Sequence, residues 1–74
     1  MSNYGQELRA LRERADIPAK RLAEKLGITP GYLSLLESGG RAFPEPDFLR
    51  AKAALLELID ERQKAFERAK AGAL

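Results

Sequence analysis

Apolar side chains recur at helical spacing from Tyr4 onward. Tyr4, Leu8, Leu11 and Ala15 follow at steps of four, three and four, with Arg9, Arg12, Glu13 and Arg14 on the other faces. This pattern predicts a first helix of about three turns. Asn3 supplies a capping side chain, and Gln6, three residues on, is placed to reach back as in a capping box. Asp16 and Ile17 lead into Pro18, which suits the first turn of a helix because its missing N–H would be unpaired there. A second helix is predicted over about Pro18 to Leu26, with Leu22, Ala23 and Leu26 on one side. Gly27 ends it, since glycine enters the left-handed region without a Cβ penalty, and Ile28 drops into the core. Thr29 and Pro30 then start a third helix, about Pro30 to Ser38, with Leu33 and Leu36 inward and Gly39-Gly40 closing it.

The stretch Arg41 to Pro46 contains two prolines and is expected to be a loop. From Asp47 to about Lys70 there is no Gly or Pro, and a single helix of up to about six turns is predicted. Phe48, Leu49, Leu55, Leu56, Leu58 and Ile59 are expected to cover the preceding helices, whereas Asp60 to Ala71 retains only Phe66 as a large apolar group. The expectation is an all-α domain of four to five helices over residues 1–58, with a C-terminal helical extension over 59–74.

Length and composition narrow the function. A chain of 74 residues builds one small core, so a two-domain enzyme is excluded. With no Cys and no His it lacks thiolate nucleophiles, imidazole bases and the usual zinc ligands. No catalytic residue, metal site or cofactor is therefore assigned, and no enzymatic role is expected. No apolar run approaches the length of about 20 residues that spans a bilayer, and the polar start MSNYGQELRA is unlike a signal peptide. A cytoplasmic protein without membrane contact is expected. The formal net charge is +2, and all of it falls in residues 1–41, since residues 42–74 hold six cations and six anions. That bias suits phosphate binding without identifying it.

The second and third helices, joined through Gly27 with the small Ala23 where they cross, form a helix-turn-helix. At these residues the chain resembles the Cro/CI-type (XRE-like) helix-turn-helix domains of phage repressors and their bacterial relatives. The resemblance rests on Leu8-Arg9, Arg12, Ile17, Leu22 to Thr29, Tyr32-Leu33-Ser34, Leu36-Glu37, Gly39, Arg41, Pro44 and Leu49, and covers about residues 5–58. It implies a lambda-repressor-like fold, double-stranded DNA as partner, and a partly buried salt bridge between Arg12 and Glu37. Most of the matching positions are core and turn residues, so they specify shape. Function has to be carried by the surface.

In relatives, the positions of Pro30, Gly31 and Leu35 often carry long polar side chains that read base edges. This chain departs from that pattern, leaving Thr29, Gly31, Tyr32, Ser34 and Leu35 as candidates for base or groove contact, Leu35 through apolar contact such as a thymine methyl. Ala19, Lys20, Arg21, Ser38 and Arg41 are the candidates for phosphate contact, with helix N-termini contributing backbone donors. One such domain reaches few base pairs, so a homodimer on a palindromic operator is implied, with Leu55, Ile59 and Phe66 as candidate dimer contacts. The expected function is that of a DNA-binding transcriptional regulator, a repressor by preference, with a regulatory protein as a further candidate partner. The alternative is a protein-interaction module of helix-turn-helix shape, an adaptor or antirepressor, suggested by Pro30, Gly31 and Leu35.

Overall fold

The computed structural model describes residues 3–72 as four helices, α1 (Tyr4–Arg14), α2 (Ala19–Leu26), α3 (Pro30–Ser38) and α4 (Glu45–Gly72). Among the described residues no helix is long and apolar enough to cross a membrane. Helices α1, α2 and α3 enclose a core into which α4 lays the apolar stripe Phe48, Ala51, Ala54, Leu55 and Leu58. Leu8, Leu22, Leu33 and Leu55 are its largest fully buried side chains. The Tyr4 ring stacks on Phe48 with centroids 4.5 Å apart, and Phe43 meets Phe48 edge-on at 6.0 Å, so one aromatic group seals the start of α1, the start of α4 and the loop before it.

The helix ends follow the chemistry of their caps. Asn3 accepts a hydrogen bond from the Gln6 N–H at 3.1 Å, and Thr29 accepts one from the Tyr32 N–H at 3.1 Å. Gly27, at φ 72°, lets the Ile28 N–H reach the Ala23 carbonyl at 3.0 Å while its own N–H bonds Glu24 at 3.2 Å, the paired bonds of a Schellman turn. Two boundaries differ from the sequence-based expectation. Pro18 stands just outside α2 in extended geometry (ψ 146°), capping it without a side-chain bond. Helix α4 begins at Glu45 rather than Asp47, because Pro46 falls in the first turn, where no intrahelical donor is needed.

The facing of α4 also departs from expectation. Leu49 and Leu56 were expected over the core but are 53% and 56% exposed. Leu55, assigned as a dimer contact, is 1% exposed and packs inside its own domain, so it is not available to a second chain. The reason is helical phase. Leu55 lies on the stripe shared with Phe48, Ala51 and Leu58, whereas its neighbour Leu56 is turned away by about 100°.

Polar contacts tie α4 to the other helices. Lys25 at the end of α2 donates to Glu61 at 2.9 Å and lies 3.4 Å from Glu57, while Arg62 Nη1 donates to the Asp16 carbonyl at 3.2 Å. Asp16 is a non-glycine residue at positive φ (58°) among the described residues, and its turned backbone presents that carbonyl to Arg62.

Candidate nucleic-acid interface

The helix-turn-helix is held in place from behind. Glu37, 5% exposed, is the buried charged residue of α3, and it is fully partnered. Arg12 of α1 donates through Nε to Glu37 Oε2 and through Nη2 to Oε1, both at 2.9 Å, while its Nη1 donates to the Ile17 carbonyl at 3.0 Å. One guanidinium thus joins α1, the α1–α2 turn and the end of α3. The hydrogen bond to Glu37 raises the Arg12 pKa above its ordinary value, against the smaller opposing effect of burial. The salt bridge implied by the resemblance is present.

Gly5 is a second positioning residue, and nothing in the sequence pattern singles it out. It is buried in α1, and a Cβ there would clash with the Leu36 carbonyl and come within 2.9 Å of that of Glu37. The absence of a side chain lets α1 press against the C-terminal backbone of α3.

The front of α3 faces outward. Thr29, Pro30, Gly31, Tyr32, Ser34 and Leu35 are all exposed, with Tyr32 at 42% and Leu35 at 43%. The long helix α4 leaves this surface clear. Thr29 uses its oxygen as the cap acceptor, which leaves its hydroxyl hydrogen free to donate. Tyr32 rises from the first turn beside a shallow groove of about 220 Å³ between α3 and α4, lined in part by Leu26, Ile28, Phe43 and Arg50.

The candidate phosphate contacts are distributed around that front. Lys20 and Arg21 are exposed in the first turn of α2, and Ala19 is half-buried, packed against the core, so only its backbone N–H serves as a donor. Ser38 is exposed, but its hydroxyl donates to the Leu35 carbonyl at 3.3 Å, and this committed hydrogen weakens its case as a phosphate donor. The same carbonyl receives the Gly40 N–H at 2.9 Å and the Arg41 N–H at 3.3 Å, which fixes the turn from which the exposed Arg41 side chain leaves the domain.

The helix ends are electrostatically unequal. Helix α1 places Glu7 in its first turn and α4 places Glu45 and Asp47 there, so both satisfy their positive N-terminal ends internally. Helices α2 and α3 have no acidic residue in the first turn, and α2 has no side-chain cap either. Helix α2 therefore presents its first N–H groups uncapped beside Lys20 and Arg21, whereas in α3 Pro30 has no N–H and Thr29 caps that of Tyr32, which leaves the Gly31 N–H; both first turns are suited to phosphate oxygens.

Comparisons with known proteins agree with this architecture. Residues 3–66 match the family model described as a helix-turn-helix domain. The chain is 33% identical over 58 residues to the HTH-type transcriptional repressor RghR of Bacillus subtilis (strain 168), covering 78% of this chain and 43% of that protein. It is 36% identical over 65 residues to the uncharacterized HTH-type transcriptional regulator RghRB of the same organism, covering 88% of this chain and 47% of that one. The chain thus spans less than half the length of either relative. No solved structure shows significant similarity to it.

Proposed function

This chain belongs to the helix-turn-helix domain family, and from that premise we propose that it is a sequence-specific double-stranded-DNA-binding transcriptional regulator, a repressor acting as a homodimer on a palindromic operator. The observation that carries the reading is the contrast between helix ends: α2 and α3 leave their N-terminal turns free of acid on the exposed front, while α1 and α4 do not. In this reading the front of α3 enters the major groove, with Thr29, Gly31, Tyr32, Ser34 and Leu35 along the base edges. Lys20, Arg21, Arg41 and the backbone N–H of Ala19 hold phosphates and set the register. Pro30 and Gly31 supply no side-chain hydrogen bond, so direct readout is sparse, and Tyr32 and Leu35 carry much of it through ring and methyl contacts. Occupying the operator excludes polymerase without any chemical step. The relatives' names, one a transcriptional repressor and the other a transcriptional regulator, support this assignment.

The test is selection of bound fragments from random duplex DNA, followed by titration of the winning sequence at increasing salt. A palindromic consensus and an affinity that falls steeply with salt are expected, because each neutralised phosphate releases counterions. Recovery of no consensus, together with salt-insensitive or undetectable binding, would overturn the proposal in favour of a protein-binding adaptor.

A further inference from the structure

The apolar stripe of α4 does not stop where the domain stops. Phe48, Ala51, Ala54, Leu55 and Leu58 are each at most 9% exposed, and the same three- and four-residue steps continue through Arg62, Ala65, Phe66 and Ala69. Yet every residue from Asp60 to Gly72 is exposed, and Phe66 reaches 70%. Helix α4 has 28 residues, about 42 Å at the standard rise, and the molecule measures 49 × 23 × 18 Å, so the helix runs most of its length and overhangs the domain. The radius of gyration, 13.9 Å, exceeds the roughly 11 Å of a compact chain of this size. An unsupported helix of about ten residues is marginal in water, so this arm calls for a partner.

Two further features indicate which partner. At the root of the arm lies an open groove of about 470 Å³, whose apolar lining includes Ile17, Pro18, Leu58 and Ala65. Charge is also segregated along α4. Residues 57–61 carry Glu57, Asp60 and Glu61 with no cation, whereas residues 62–70 carry Arg62, Lys64, Arg68 and Lys70 against Glu67 alone, net −3 followed by net +3. Within the chain Lys25 lies against Glu57 and Glu61 and Lys64 against Asp60, but these pairs are largely exposed and one cation serves two carboxylates, so the segment keeps a net negative charge.

We propose that the arm binds the arm of a second copy of this chain in antiparallel fashion, each Phe66 seated in the groove formed by Ile17, Pro18, Leu58 and Ala65 of the other copy. This deepens, and rests on, the two-copy reading given above. The antiparallel sense sets the basic end of each arm beside the acidic segment of the other, while a parallel, in-register pair would place like charge against like. Ala65 lies near the two-fold axis, and the two Ala69 residues lie more than about 10 Å apart along the pair.

The experiment is sedimentation of the whole chain without DNA, with cross-linking of single-cysteine variants, which is direct because the chain contains no cysteine. A dimer is expected at micromolar concentration, with Phe66→Ala shifting it to monomer at unchanged helicity. On oxidation Ala65→Cys should cross-link readily and Ala69→Cys poorly. A monomeric chain, a Phe66→Ala variant that stays dimeric, or Ala69→Cys cross-linking as well as Ala65→Cys would each overturn the arrangement. Since no DNA is present, a dimer of this form that binds no operator would count against the DNA-binding proposal alone.

Discussion

Arg12 and Glu37, twenty-five positions apart in sequence, meet through two parallel hydrogen bonds of 2.9 Å, and the free end of the same guanidinium holds the Ile17 carbonyl. Their side chains are 13% and 6% exposed, so each desolvates the other and neither can be lost alone without leaving an unpaired charge. Replacing Arg12 or Glu37 by Ala is expected to destabilise the fold by about 3 kcal/mol. Replacing both together by apolar residues of similar volume should cost much less than the two single changes added. Urea unfolding of the parent, the two single variants and the double variant checks this. Because the Arg12 pKa is raised, its share of the stability is present throughout the neutral range and is lost only as pH rises through a value above that of ordinary arginine.

Adjacent leucines in α4 should behave oppositely. Leu55 is 1% exposed and Leu56 is 56% exposed. Leu55→Ala is expected to cost about 2–5 kcal/mol through lost burial and a residual cavity. Leu56→Ala should fall within about 0.5 kcal/mol of the parent. Thermal melts followed by circular dichroism distinguish them, and equal effects would mean that the phase of α4 against the core is misassigned.

Glycine substitutions separate close packing from mere flexibility. Gly5→Ala forces a Cβ against the Leu36 carbonyl, a backbone atom that cannot swing aside, and should destabilise by about 1–3 kcal/mol. Gly31 sits in the first turn of α3 with nothing within 4 Å of the added atom. Gly31→Ala should therefore be neutral or stabilising by up to about 1 kcal/mol. The comparison is made by denaturant midpoints at constant slope.

On DNA, two exposed residues are assigned different tasks. Arg41→Ala should weaken binding evenly across sequences and reduce the salt slope by about one unit, the signature of a lost phosphate contact. Tyr32→Ala should change the preference among sequences. Competition binding against a panel of single-base operator variants reads both effects, and a Tyr32→Ala protein with unaltered affinity and preference would show that α3 does not dock by its front.

Much of the fold was legible because local chemistry states it. The Gly27 bend, the Thr29 cap and the bounds of α3 are written in neighbouring residues, and the structure places them as the pattern predicts. The Arg12–Glu37 pair came from the family resemblance, since nothing local connects two residues that far apart. What stayed hidden depends on three-dimensional phase or approach. Leu49, Leu55 and Leu56 are equally apolar in sequence, and only the angle at which α4 meets the core decides which is buried. Gly5 reads as an ordinary helix residue until the α3 carbonyls appear beside it. Pro46 looked like a helix breaker and proved to be a first-turn residue, because the missing donor matters only once a full turn precedes it. At the interface the sequence supplied the exposed candidates but could not show that the Ser38 hydroxyl is committed to Leu35.

From Glu45 to Gly72 the last helix runs without Gly or Pro between Asp47 and Ala71, so once its arm is paired it acts as a stiff axle rather than a tether. Adding or removing one residue beyond Asp60 would rotate everything after it by about 100° and shift it by about 1.5 Å. Whatever the far end grips is thereby geared to the orientation of the helix-turn-helix, and a change of length there would mistime the two without touching either.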